Sequence, residues 1–207
     1  GEFFEGRWID AQPRMGKASG AFCEYVTPKV HPYILMSYQE RLDDVMTLAH
    51  ELGHGMHAYL SRAQTLFNLH GTLPLAELAS IFGEMLVFDD LVRNCSDEDR
   101  LALYAQKIEG IFASVFRQAA MFRFEKECHQ IRREEGELSA DEFAEIWQSR
   151  LQEMFGAGVT LGEQHKHWWL YVGHFFFAPF YVYAYAFGEL LSLSLYQRAK
   201  TEGASFA

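Results

Sequence analysis

Basic residues are in short supply. Lys and Arg number 18 against 28 Asp and Glu, a net charge of −10, which argues against nucleic acid or an acidic membrane as a partner. Cysteine is scarce too. Cys23, Cys95 and Cys128 are an odd number at no metal-ligand spacing, so they read as free thiols in a reducing compartment, and the expected location is cytoplasmic. A charged-then-apolar leader is missing, so no secretory signal is visible. Internal repeats and low-complexity linkers are missing as well. The stretch Trp168 to Gly188 carries no formal charge and is long enough to span a bilayer. It is nonetheless poor in Leu, Ile and Val. It holds Gly173, His174, Pro179 and four tyrosines, Tyr171, Tyr181, Tyr183 and Tyr185, whose hydroxyls need partners that lipid cannot supply. A buried aromatic helix, or a helix lining a cleft, is expected there instead of a membrane span.

What is present is apolar and aromatic. Hydrophobic residues make up 49% of the 207 and aromatics 15%, the composition of a globular chain of one large domain or two small ones. The chain starts without Met and ends within what reads as a helix, Glu189 to Lys200, which suggests a fragment.

The chemistry centres on His50-Glu51-Leu52-Gly53-His54, an H-E-x-x-H motif inside a stretch that reads as helix from Asp43 to about Arg62. Residues four apart on a helix lie one turn above each other on one face, so His50 and His54 can aim two imidazole nitrogens at one point. Glu51 points beside that point. The pattern is a signature of zinc proteases, in which the glutamate acts as general base. Zinc takes about four ligands and a catalytic site leaves one position to water, so one further protein ligand is required.

Before the motif, Gly1 to Gly20 reads as loop. Gly20 to Thr27 and Tyr33 to Tyr38 read as two strands, paired antiparallel, with Pro28 and Pro32 between them. Asp43 or Asp44 is the expected N-cap of the motif helix. After it come a helix from Leu75 to about Arg93, a long helix from Asp97 to about Glu135 ending at Gly136, and a helix from Asp141 to Phe155 capped by Ser139. An aromatic segment, Trp168 to Tyr196, closes the chain. The balance is mainly α with a small antiparallel sheet beside the motif helix.

The Leu75–Arg93 helix supplies the missing ligand. Glu77 and Glu84, seven apart, share a face amid Leu75, Leu78, Ile81, Phe82, Met85 and Leu86. A carboxylate on so apolar a surface is costly unless it binds a metal or pairs. Glu77 is the expected third ligand. Glu84 is expected to orient a ligating histidine through its other ring nitrogen. His57 lies two turns from His50, about 10 Å in rise, and is read as a supporting residue. His31, His70, His129, His165 and His167 are read as surface or core. The last segment offers His174 and its tyrosines as donors for an oxyanion. Tyr33 to Tyr38 is the expected strand for pairing with a peptide backbone. A di-iron carboxylate site needs a second Glu-x-x-His, and the sequence has none.

Three stretches, Gly20-Ala-Phe-Cys, Pro32-Tyr-Ile-Leu-Met-Ser-Tyr and Asp44-Val-Met-Thr-Leu-Ala-His-Glu-Leu-Gly-His, resemble oligoendopeptidase F, the bacterial branch of the thimet oligopeptidase (M3) metallopeptidases. Leu75-Ala-Glu-Leu-Ala-Ser-Ile-Phe-Gly-Glu resembles the third-ligand helix of that family. His174 with Pro179-Phe-Tyr-Val-Tyr-Ala-Tyr resembles its histidine-and-tyrosine segment. The resemblance implies a helical zincin fold, a deep cleft and one zinc ion per chain held by His50, His54 and Glu77. It implies Glu51 as catalytic base, His174 and Tyr185 as oxyanion and substrate contacts with Tyr181 a further candidate, and short oligopeptides as substrates. Residues 1–207 are then expected to be part of one catalytic domain, without the family's N-terminal helical region and extreme C-terminus. The competing expectation is a helical fragment that binds metal or peptide without cleaving.

Overall fold

The computed structural model describes residues 1–17 and 20–206. In chain order the elements are α1 (Glu2–Glu5), β1 (Ile9–Asp10), β2 (Phe22–Glu24), β3 (Tyr33–Leu35), α2 (Leu42–Ser61), α3 (Leu73–Ala76), α4 (Leu78–Asn94) and α5 (Asp97–Phe112). There follow a π-helical turn (Ala113–Arg117), α6 (Gln118–Glu134), α7 (Ala140–Phe155), a 3-10 stretch (Glu163–Tyr171), α8 (His174–Phe177) and α9 (Tyr183–Glu202). None of the described helices is long and apolar enough to cross a membrane. The chain divides into two compact units. One is Gly1–Leu103 with the stretch from Leu190 onward, and the other is Tyr104–Glu189.

In the first unit the described strands form one mixed sheet in the order β1-β3-β2. β2 runs antiparallel to β3, with Cys23 opposite Ile34, as the paired runs of branched and aromatic residues suggest. β1 joins the other side of β3 in parallel, Ile9 opposite Ile34. That strand and α1 fall in the stretch read as loop. Two residues carry no period, and only the distant partner makes β1 a strand. Ile34 and Met36 on the central strand are almost wholly buried.

α2 begins at Leu42, with Arg41 rather than Asp43 or Asp44 as its cap. Asp44 works from the third helical position instead. Its Oδ2 accepts the N–H groups of Gln39 (2.7 Å) and Arg41 (3.0 Å), closing the entry to the helix. Those two hydrogen bonds and the neighbouring Arg41 guanidinium hold its carboxyl below the usual carboxylate range.

Against α2 lies α4, and glycine sets how close they come. A Cβ on Gly53 would meet the Ala79 carbonyl oxygen at 2.4 Å, and one on Gly83 would meet the Ala49 carbonyl oxygen at 3.0 Å. Both neighbours are backbone and cannot swing aside. Gly53→Ala is therefore expected to force the two helices apart, at a cost of about 1–3 kcal/mol or more. Thermal denaturation with and without metal would measure it. Two further ties fix α4 in this unit. Ser192 Oγ on α9 donates to the Leu78 carbonyl at 3.0 Å, and Lys200 pairs with Asp89 at 2.7 Å.

The second unit is built on α6 and α7. Its core holds Met121, Phe124, Cys128, Trp147, Leu151, Val172 and Val182. Phe124 meets Trp147 edge-on, centroids 5.3 Å apart, and Phe175 at 5.1 Å. Ser139 caps α7 as its sequence announces: its Oγ accepts the Glu142 N–H, and the Glu142 carboxylate accepts the Ser139 N–H at 2.7 Å. The long helical stretch from Asp97 is continuous except for the π turn at Ala113–Arg117. The aromatic segment is not one helix. It runs through the 3-10 stretch, the single turn of α8 and a sharp turn at Pro179-Phe180 before α9.

Candidate metal centre

His50 and His54 rise from one face of α2, and their Nε2 atoms lie 3.1 Å apart with the rings nearly perpendicular. Glu77 Oε2 stands 3.3 Å from His50 Nε2 and 3.5 Å from His54 Nε2. Among the described residues these three form the group of potential metal-binding side chains. Their separations can be tested against an ion. A tetrahedron with bonds of about 2.0–2.1 Å has edges of about 3.3 Å. The observed triangle fits that edge on all three sides, with two imidazoles and a carboxylate as the donor set zinc favours.

Glu77 does not sit inside a continuous helix. It is the hinge between α3 and α4, with φ −93° and ψ 0°, the sparsely populated bridge region in which many active-site residues are found. The break corrects the expectation of one helix carrying Glu77 and Glu84 on a single face. No Gly or Pro marks it, since Pro74 sits earlier, in the first turn of α3. Ser80, wholly buried, fixes the result: its Oγ is 3.0 Å from the Glu77 carbonyl and 3.2 Å from Glu77 Oε2. Ser80 was not singled out in the sequence. Its signal was a hydroxyl three residues after a glutamate, a spacing at which serine bonds back to its own helix.

Glu84, one element further, meets the other ring nitrogen. His50 Nδ1–H donates to Glu84 Oε1 at 2.7 Å, which turns Nε2 toward Glu77 and His54. Burial alone would lower the His50 pKa. Hydrogen bonds and attraction from Glu77 and Glu84 overcome it and carry the value up to about 10. In the metal-free chain His50 is therefore an imidazolium at neutral pH. The carboxylates stabilise the fold through it fully below the ordinary histidine value near 6.5, and that contribution is lost as pH rises through about 10. Melts of the metal-free chain are expected to fall in Tm over that interval, and Glu84→Gln is expected to flatten the trend. Metal and proton compete for the same nitrogen, so binding at neutral pH should release about one proton.

Glu51 is only 5% exposed, and its Oε2 has no hydrogen-bond partner among the described residues. Burial pushes its carboxyl pKa up, the His50 and His54 rings pull it down, and Glu77 and Glu84 raise it again. It lines an open cleft of about 810 Å³ together with His50, Glu84, Thr47, Met36, Gly20 and Ala21. His57 stands outside the donor triangle, and burial followed by the nearby His54 lowers its pKa.

The strand expected to pair with a peptide, within Tyr33 to Tyr38, is the central strand of the sheet and not an edge. The N–H groups of Ile34, Met36 and Tyr38 donate to Trp8, Asp10 and Ala11, while β2 takes the other side of Tyr33 to Leu35. The edge strands of the described sheet are β1 and β2. On the side of the cleft, whose lining includes Gly20 and Ala21, the edge is β2. Its Cys23 thiol is driven up to about 12 by burial, then by Glu51 and Glu24, which places β2 beside the catalytic-base candidate.

His174, Tyr181 and Tyr185 come together in the second unit. His174 Nε2 is 3.0 Å from the Tyr185 hydroxyl. The Tyr181 ring stacks on His174 with centroids 5.8 Å apart, and it meets Tyr185 edge-on at 5.3 Å. Of the histidines read as surface or core, His31 stacks on Trp8 and His70 on Tyr25.

The model of peptidase family M3 matches residues 1–206. The chain is similar to the oligoendopeptidase F homolog of Borreliella burgdorferi, 33% identical over 197 residues that cover 94% of this chain and 33% of that protein. It is also similar to oligopeptidase PepF of Bacillus subtilis, 31% identical over 206 residues that cover 98% of this chain and 30% of that one. The crystal structure of oligoendopeptidase-F from Enterococcus faecium aligns with a TM-score of 0.64 at 24% identity, covering 80% of this chain and 30% of that one, a likeness of fold. The chain thus spans about a third of the length of the curated relatives it matches.

Proposed function

Because this chain belongs to peptidase family M3, we propose that it carries the zinc site of an endopeptidase that hydrolyses short oligopeptides. The observation that supports this most directly is the triangle of His50, His54 and Glu77 donors beside the buried oxygen of Glu51, which has no hydrogen-bond partner among the described residues. Zinc, one ion per chain, is the metal we assign, and when bound it supplies Lewis acidity that acidifies water and polarises a carbonyl.

The chain's own residues do the rest. Glu51 takes the proton of the attacking water on a carboxylate oxygen and delivers it to the leaving nitrogen. Its raised pKa brings its basicity nearer to neutral pH, where such a transfer is most effective. Glu84 holds the His50 ring in register through Nδ1. His174 and Tyr185 offer hydrogen bonds to the oxygen on which charge develops, and the Tyr181 ring keeps His174 in place. A peptide pairs with the edge of β2 through main-chain hydrogen bonds, which gives affinity with little demand on sequence. The partner is thus an oligopeptide rather than nucleic acid or membrane. The three free cysteines suit a cytoplasmic setting.

One observation favours the alternative of a portion that binds metal or peptide without cleaving: the chain covers about a third of its relatives' length. Cleavage of a quenched oligopeptide, with and without chelator, decides between them. We expect cleavage that chelator abolishes and one equivalent of zinc restores, in this chain or in a longer chain containing it. Cleavage that ignores the chelator, or none in either chain, would overturn the peptidase assignment.

A further inference from the structure

Glu125 and Glu189 are deeply buried acids, among the described residues, that the mechanism does not use, and Glu125 holds a backbone turn. Glu125 on α6 is 3% exposed, and its Oε2 has no hydrogen-bond partner among the described residues. A buried carboxylate is costly unless something depends on it. Its Oε1 accepts the backbone N–H of Phe180 at 2.7 Å, across 55 residues of chain. Phe180 is one of three non-glycine residues with a positive φ among the described residues, with Arg7 and Glu40. Tyr181 N–H donates to the Ala178 carbonyl at 3.1 Å and closes a four-residue turn. Pro179 fills its second position, and Phe180, with φ +61°, its third. Proline followed by a positive φ is the pattern of a type II turn, whose third position is normally Gly or Asn. A bulky residue keeps that conformation only when its surroundings impose it.

Types I and II differ by a half-turn of the central peptide. The N–H of that peptide is the Phe180 N–H, the group that Glu125 holds. His129, one turn further along α6, lays its ring against Phe180 with centroids 4.7 Å apart. One helix thus grips this residue by backbone and by side chain. The turn lies between α8, which carries His174, and α9, which carries Tyr185, so the 3.0 Å contact between these two side chains spans it.

We propose that Glu125 is a positioning residue: its carboxylate locks the Pro179-Phe180 peptide in the orientation that sets Tyr181 and Tyr185 against His174. This rests on the reading of His174 and Tyr185 as substrate contacts. The role proposed for Glu125 is exerted through this turn alone.

The test uses the zinc-loaded chain and four variants: Glu125→Ala, Glu125→Gln, Phe180→Gly and the double variant Glu125→Ala with Phe180→Gly. Glu125→Ala is expected to lower kcat by about 10–100-fold with little change in KM or zinc content. Glu125→Gln keeps a carbonyl acceptor and stays near wild type. Glycine takes a positive φ freely, so the double variant recovers most of the loss. Wild-type kcat in Glu125→Ala, or a double variant no better than that single one, would overturn the proposal. Should Glu125→Ala not fold, Glu125→Met fills the space without the acceptor and carries the same expectations.

NMR of the residue 180 amide and the Tyr181 and Tyr185 rings judges the clamp without any cleavage assay. These signals should move in Glu125→Ala, and the ring signals should return in the double variant. Absence of cleavage by the wild type and by a longer chain containing it, with the signals moving as expected, would sink the peptidase reading and leave the clamp standing. Unmoved signals would sink the clamp whatever the kinetics.

Discussion

Replacing Glu51 by Gln is expected to lower peptide cleavage by about 10²–10⁴-fold while leaving the metal content at one ion per chain. The carboxylates around the cleft are not equivalent. Asp44 is committed to the N–H groups of Gln39 and Arg41, which keep it ionised and engaged. Glu84 is committed to His50 Nδ1. Glu51 alone among these three presents a buried oxygen with no hydrogen-bond partner among the described residues, and burial makes it a stronger base than an exposed glutamate. Gln matches the shape and removes the proton-accepting charge. Nothing is lost from the donor triangle, and an unpaired buried charge disappears, so Tm should hold or rise. Steady-state kinetics with elemental analysis on the same sample would check it. A loss of zinc alongside the loss of rate would mean that Glu51 supports the ion rather than the proton.

Loss of the ion itself is the second large effect, expected for His54→Ala. This change deletes one corner of a triangle whose sides are 3.1, 3.3 and 3.5 Å. His50 Nε2 and Glu77 Oε2 remain, but two donors do not make a tetrahedral site. Zinc affinity should fall by more than the roughly 10–100-fold that follows loss of an outer hydrogen-bond partner, and cleavage should fall with it. His57→Ala, outside the triangle, should keep its zinc. Competition with a chromophoric chelator gives both affinities on one scale. Equal losses for His54→Ala and His57→Ala would contradict the donor set.

Much of this site was legible because it is local. His50, Glu51 and His54 need only the helical period to converge, and Glu84 and Glu77 stood out as acids on an apolar face. The capping pair Ser139 and Glu142 announced α7 in the same way. What escaped depends on partners distant in sequence. A short run of aromatic and branched residues such as Tyr33 to Tyr38 does not say whether its strand is central or at an edge, and β1 supplied the answer from residues with no strand signal of their own. The break at Glu77 carries no Gly or Pro because packing and the Ser80 hydroxyl impose it. Gly53, inside the motif, is what lets α4 approach α2 closely enough to deliver Glu77. Nothing local marks Phe180 for a positive φ, and the groups that hold it, Glu125 and His129, lie far back on α6.

The most direct test of the account is X-ray absorption at the zinc edge on the loaded chain, paired with an anomalous difference map. One ion is expected, bound by His50 Nε2, His54 Nε2 and the Glu77 carboxylate at about 2.0–2.2 Å, with no fourth protein ligand. An ion placed elsewhere, a site without Glu77, or a fourth protein side chain closing the coordination would contradict it.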